Sequence, residues 1–194
     1  MRIVGGRLRG RALKAPETRE VRPTSDRLRE SIFDILAHRF AEALGGARVV
    51  DLFAGTGALG LEALSRGAET AMFVDSGSEA RALLRANIEA LALGGVTRIW
   101  RADATKLGRA PAGPPFTLAF LDPPYDNNLA GPALGELARG GWLAPGALIV
   151  VEEGAAAEIP IPESFERLER RDYGDTQIVL IRFVGTQEAS GGAS

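Results

Sequence analysis

Four carboxylates stand where apolar runs give way to loops: Asp51, Asp75, Asp103 and Asp122. The last opens the segment Asp122-Pro123-Pro124-Tyr125, directly after the run "FTLAFL". Prolines fix φ and have no N–H to donate, so two in a row make a stiff loop. A stiff loop of this composition is suited to hold Asp122 and Tyr125 against a ligand. Asp51 opens a second motif, in which Gly55, Gly57 and Gly60 follow a Gly-x-Gly-x-x-Gly spacing between a strand and a helix. Gly55 and Gly57 allow backbone to approach a ligand closely, and Gly60 allows a helix to pack tightly.

The glycine spacing alone fits two ligands, a nicotinamide dinucleotide and S-adenosylmethionine. Asp51 separates them. A carboxylate just before the glycines repels a pyrophosphate, whereas it attracts the ammonium and sulfonium of S-adenosylmethionine, which has no phosphate. Asp75 lies about 20 residues further on, where a carboxylate accepts from ribose hydroxyls. Asp103, after the next strand, is placed to accept from an adenine amino group.

The elements that must position these groups alternate. Strands are expected at 48–53, 70–75, 97–103, 116–122 and 147–153, with two more around Gly174-Asp175, where a hairpin is signalled. Helices are expected from Pro23 and Thr24/Ser25 to Gly45-Gly46, over 57–67 and over 78–93, with a weaker one at 129–141 interrupted by Pro132. Repeated strand–helix units with apolar strands predict an α/β fold: a doubly wound, mainly parallel seven-stranded sheet with an antiparallel edge strand. Ligands of such sheets bind beyond the carboxyl ends of the strands, the rim that carries all four acids. Residues 1–22 read as a short basic hairpin arm turning at Gly5-Gly6, residues 23–184 as the main domain, and 185–194 as a disordered tail.

Composition narrows the chemistry. The 194 residues contain no cysteine and one histidine, His38. Disulfides, thiolate metal sites and cysteine nucleophiles are excluded, and no metal is expected. No apolar run approaches the roughly 20 residues that cross a bilayer, and the N-terminus lacks the apolar centre of a signal peptide, so a cytoplasmic location without membrane contact is expected. The net charge of −2 hides an asymmetry: residues 1–29 hold nine Arg/Lys against three acids, a net of +6. A basic arm on an acidic body points to a polyanion met by the arm, with Arg7, Arg9 and Arg11 as candidate contacts. On this reading the arm governs the polyanion and leaves the donor alone.

"DLFAGTGALG", "FVD", "RAD" and "LDPPY", in this order, resemble a class I S-adenosylmethionine-dependent methyltransferase. "DPPY" is similar to the (N/D/S)PP(Y/F) motif of enzymes that methylate amine or amide nitrogens. "MRIVGGRLRGRAL", "VRPTSDRLRESIFDIL" and "DLFAGTGALGLEALSRGA" extend the resemblance to the RsmD family over essentially the whole chain apart from the tail. The resemblance implies methyl transfer to the exocyclic N2 of a guanine in 16S ribosomal RNA, on an assembled or assembling small subunit, by an enzyme expected to be monomeric. It implies a catalytic set of Asp122, Pro123 and Tyr125. The implied donor set is Asp51, Phe53, Ala54, Gly55, Thr56, Gly57, Asp75, Asp103 and Ala104, with Thr24 and Arg27 closing over it. Asp75 stands where the longer glutamate is the family's pattern, which implies a looser or water-mediated ribose contact.

The chemistry agrees with these residue types. An exocyclic amine is a poor nucleophile because its lone pair is delocalised into the ring. Two acceptors on its hydrogens, the Asp122 carboxylate and the Pro123 carbonyl, favour a pyramidal nitrogen and aim the lone pair, while Tyr125 stacks on an unstacked base. Three other readings stay open. An N6-adenine methyltransferase uses the same motif, though DNA enzymes of that kind usually carry a further recognition domain. A nicotinamide-dependent oxidoreductase needs only the glycine loop, and a non-catalytic RNA-binding protein needs only the fold.

Overall fold

Buried apolar runs place β1 (Arg48–Leu52), β2 (Thr70–Val74), β3 (Thr97–Trp100), β4 (Phe116–Leu121) and β5 (Leu143–Gly154) side by side, all parallel. The computed structural model describes residues 1–16, 25–125 and 127–185. Two further strands, β6 (Phe165–Tyr173) and β7 (Thr176–Phe183), complete a seven-stranded sheet in the order β3-β2-β1-β4-β5-β7-β6. The expected mainly parallel, doubly wound sheet is thus found. The chain runs outward from β1 to β3 and then returns to lay β4 on the other side of β1. The carboxyl ends of β1 and β4 therefore flank the point where strand order reverses, the usual ligand crevice of such sheets.

Successive strand residues point to opposite faces, and both faces are buried. Val49, Phe73, Leu118, Phe120 and Val150 pack on one side with Phe33 of α1 (Asp26–Arg39), Leu61 of α2 (Ala58–Ser65) and Leu84 of α3 (Ser78–Ala90). Val50, Val74, Leu121 and Val151 pack on the other with Leu134 and Leu137 of α4 (Ala130–Arg139) and with Trp142. Asp51 shares the first face and points under α2. Ser25 caps α1 by accepting from the N–H of Leu28 at 3.1 Å. Among the described residues, no helix is long and apolar enough to cross a membrane.

The structure refines several expectations. β3 stops at Trp100, so Asp103 lies in the following loop and not on the strand end. β5 begins at Leu143, four residues early, because a register shift against β4 lets Pro145 and Gly146 bulge out without interrupting the strand. Pro132 does not interrupt α4. It occupies the first turn, where a helix has no partner for the N–H that proline lacks. α1 ends at Arg39, before a separate 3-10 turn over Ala41–Ala43. The final hairpin turns at Gly174 and docks at the sheet's end with its second strand innermost, β7 antiparallel to both β5 and β6.

The N-terminal arm is a small hairpin closed by Ile3 N–H to Arg11 C=O at 2.9 Å and Leu13 N–H to Met1 C=O at 3.1 Å. Its tip is a 3-10 turn over Gly6–Leu8 in place of a tight Gly5-Gly6 turn. Ile3 and Leu13 are buried, so the arm is part of the core. A buried charge cluster clamps it down. Glu62 accepts from the N–H of Val4 at 2.8 Å and from Arg66 at 2.8 Å, with buried Arg29 at 3.8 Å from the same carboxylate. Arg29 also donates to the Arg2 carbonyl and, at 2.7 Å, to Asp26.

Candidate active site

The loops after β1, β2 and β4 open onto one cleft of about 620 Å³. It brings Asp51, Phe53, Ala54, Gly55 and Thr56 together with Asp75, and sets them against Asp122, Pro123 and Tyr125. Three of the four rim acids therefore share a site, although 71 positions separate Asp51 from Asp122 in the chain.

Asp51 forms the floor. It is 1% exposed, and its Oδ2 accepts from the Gly60 N–H at 2.9 Å. Burial pushes its carboxyl up to about 8, against the lowering effect of the Gly60 bond, and the nearby Asp75 charge adds to the rise. Phe53 turns the chain out of β1 with φ of +58°, a left-handed conformation costing about 1–2 kcal/mol for a residue with a Cβ. That bend presents the backbone of Ala54 and Gly55 to the cleft.

The glycines divide their work differently from the sequence reading. At Gly55 (φ +54°) only the Phe53 carbonyl, 3.9 Å away, lies near a would-be Cβ, so this backbone opens toward the cleft. Gly57, the residue before α2, does not line the cleft. A Cβ there would stand 2.3 Å from Leu84 Cδ1, so the missing side chain at Gly57 lets α2 and α3 pack together. Gly60 serves close packing as expected, since its Cβ would stand 2.5 Å from the Phe73 ring.

Asp75 staples the loop that it faces. Oδ2 accepts from the Gly55 N–H at 2.9 Å and Oδ1 from the Gly77 N–H at 2.7 Å. A carboxylate accepts about four hydrogen bonds, so capacity remains for two hydroxyls of a ligand. Asp75→Ala is expected to weaken binding of the donor expected from the sequence by about 1–3 kcal/mol, because the loop staple and the expected ribose contact both go. Calorimetric titration checks this, and unchanged affinity places the ribose elsewhere.

Asp103 is exposed and outside the cleft lining. Its Oδ1 accepts from the Thr105 hydroxyl at 2.7 Å and the Thr105 N–H at 2.9 Å, bonds that hold the carboxyl below its usual range. Ala104 is buried in the second core face. The early end of β3 thus leaves the pair Asp103 and Ala104 beside the cleft as a local turn.

At the other wall the Tyr125 hydroxyl is tethered. It donates to Glu152 Oε1 at 3.1 Å and shares a hydrogen bond with Thr176 Oγ1 at 2.9 Å. Burial pushes the phenol up to about 12, so Tyr125 is neutral at physiological pH and presents a fixed ring. Glu152 and Thr176 were missed in the sequence. Glu152 lies two residues before the end of β5, near the same rim as the other acids. Pro123 is buried, which fixes the loop carbonyl path behind Asp122.

The arm also borders this cleft: Met1 and Pro16 line it together with the glycine loop. Arg7 and Arg9 are exposed near its tip. Arg11 donates to the Ala90 carbonyl at 2.8 Å, capping the last turn of α3. Arg27 faces a second recess of about 350 Å³ between the arm and α1, together with Arg9. Thr24 lies outside the described residues, as do Asp126 and the 186–194 tail.

Comparison with known proteins places this geometry. A family model described as conserved hypothetical protein 95 matches residues 1–182. Ribosomal RNA small subunit methyltransferase D of Escherichia coli is 38% identical over 160 residues, covering 82% of this chain and 78% of that protein. The Haemophilus influenzae protein of the same name is 33% identical over 176 residues, 90% of this chain and 89% of that one. The solved structure of Escherichia coli yhhF matches with a TM-score of 0.80 and 34% identity, covering 96% of this chain and 99% of that chain. On the family match and these identities, the chain belongs to the RsmD family.

Proposed function

We propose that this chain is a ribosomal RNA methyltransferase that takes its methyl group from S-adenosylmethionine and places it on the exocyclic N2 of a guanine in 16S ribosomal RNA, acting on the assembled or assembling small subunit. The observation that carries the reading is the cleft at the β1/β4 reversal, where Asp51, Gly55 and Asp75 face Asp122, Pro123 and Tyr125. The names of the Escherichia coli and Haemophilus influenzae relatives, small subunit methyltransferases, support the substrate class.

The residues present fit the donor. A buried acid on the floor suits a cationic amino-acid end and a sulfonium, and the open backbone at Gly55 admits close approach. Asp75 has acceptor capacity for the ribose. When bound, the donor supplies an electrophilic methyl group. Asp122 and the Pro123 carbonyl accept from the two amine hydrogens and turn the nitrogen lone pair toward that methyl. Attack of that lone pair on the methyl carbon would leave the electron pair of the broken carbon–sulfur bond on sulfur and release one amine proton to solvent. Tyr125 holds the base plane and takes no proton. Positioning of this kind supplies a large part of a rate enhancement.

Methyl transfer from radiolabelled donor to small subunits lacking the mark, followed by nucleoside analysis, tests the reading. N2-methylguanosine is expected; N6-methyladenosine assigns the chain to the adenine alternative. Exposed Arg7 and Arg9 give a second measurement. Their joint replacement by alanine is expected to weaken subunit binding and to lower the slope of log affinity against log salt by about two, one for each lost phosphate contact. A wild-type slope near zero removes the arm from RNA binding.

A further inference from the structure

The connection from β3 to β4, residues 101–115, forms neither helix nor strand. Plain connections of that length in a compact domain usually carry a function or lack order. This one is stapled down. The Ala110 N–H donates to the Gly140 carbonyl at 2.9 Å, and the Gly108 carbonyl accepts from the Trp142 indole N–H at 2.9 Å. The Pro115 carbonyl accepts from Arg48 Nε at 2.8 Å. Pro111, Pro114 and Pro115 stiffen the stretch between these bonds. The result is a preformed cleft of about 1010 Å³, larger than the candidate active site. It opens at the amino ends of β1 to β4, the rim opposite to the donor side.

The walls of this cleft carry Arg48, Arg98, Arg109 and Arg139 against one acid, Glu69. Arg48 is engaged with Pro115, and Arg139 with Glu136 at 2.7 Å. Arg98 and Arg109 are exposed and, among the described residues, make no ion pair. The chain beyond residue 29 is net acidic, since the first 29 residues hold +6 of a total of −2. A cleft lined by cations therefore runs against the composition of the body that bears it. Guanidinium groups offer forked donors that match phosphate oxygens.

We propose that this cleft is a second RNA-binding site, one that takes sugar-phosphate backbone of the small subunit away from the base being methylated. The proposal rests on the RNA reading above. The six residues of β4 separate the cleft from Asp122, roughly 20 Å at the rise of a strand. The two openings lie at opposite ends of the sheet, so the RNA held here is a different stretch from the one presented at Asp122. Phosphate contacts position a protein and carry no base information. The cleft thus favours a folded subunit, with RNA on both sides of the enzyme, over one isolated loop.

The test measures binding of the wild type and of Arg98→Ala with Arg109→Ala to small subunits lacking the mark, over a series of salt concentrations. The double variant is expected to bind about tenfold more weakly at moderate salt, with the slope of log affinity against log salt lower by about two, one for each lost phosphate contact. Its affinity for S-adenosylhomocysteine and its rate of transfer at saturating subunits are expected to stay at wild-type values. A folded variant with wild-type affinity, or with a wild-type slope, overturns the proposal. Cross-linking identifies what fills the cleft. The chain has no cysteine, so Ala112→Cys, at an exposed position in the cleft wall, takes a thiol-directed photo-cross-linker at one place. Cross-links to 16S ribosomal RNA are expected, and cross-links to ribosomal protein alone, or none, overturn the assignment. A wild type that transfers no methyl to the subunits defeats the reading on which the proposal rests, whereas failure of the cleft by itself leaves that transfer intact.

Discussion

Asp122→Ala is expected to reduce methyl transfer by about 10²–10³ while donor affinity stays close to that of the wild type. The carboxylate lies in the cleft wall opposite Asp51 and Asp75, on the loop after β4, and its proposed partner is the amine hydrogen and not the donor. Removing it leaves the base amine planar, with its lone pair drawn into the ring, at the moment the methyl must transfer. Pro123 and Pro124 keep the backbone in place in the variant, so the loss falls on the chemical step. Single-turnover rates on unmodified subunits, with donor titrations alongside, separate the two quantities. Near-normal turnover removes Asp122 from the amine.

The second large effect is on pH. The Asp51 carboxyl is held at about 8 by burial, so below that pH the empty cleft carries a proton on its floor. A cationic donor is best held by the ionised form, so binding expels this proton. Donor affinity is therefore expected to rise with pH up to about 8, by as much as tenfold per unit, and then to level off. The sign for stability is the opposite. The folded carboxyl lies above its value in an unfolded chain, so the unfolded state binds fewer protons between the two, and Asp51 costs the empty protein stability as pH rises toward 8. Calorimetry in two buffers of different ionisation enthalpy measures the released proton. Asp51→Asn is expected to lose the pH dependence together with much of the affinity, and an unchanged pH profile in that variant assigns the proton to another group.

What could be read in the sequence was what depends on neighbours in the chain. Apolar runs marked the strands, Gly57 and Gly60 marked a strand-to-helix turn, and the proline pair marked a stiff loop. Strand ends were less legible, because hydrogen bonding to a neighbour decides where pairing stops: β3 ends at Trp100 and leaves Asp103 to Thr105. Pro145 hid the start of β5, since a bulge cannot be anticipated from one strand alone. The spacing of Gly57 also does not show its packing role against Leu84. Met1, Glu152 and Thr176 escaped notice for one reason: each meets a residue at least 27 positions away, and no local pattern records such a meeting.

The position of β7 has a bearing on how the enzyme is made. The last strand to be synthesised is not the outermost one; it lies between β5 and β6, and its first residue is Thr176. During translation the five parallel strands leave the ribosome before it, with β5 an open edge. A chain halted short of residue 176 holds the glycine loop and Asp122 but has half the anchor of the Tyr125 hydroxyl, Glu152 and not Thr176. The proposed base platform is therefore finished only when the C-terminal hairpin docks. On the proposed reading, donor binding can precede that event, whereas capture of a base cannot be well ordered until it is over. Birth of the protein then sets an order of its own: first a fold that recognises the proposed methyl source, and only with the closing hairpin one shaped to modify RNA.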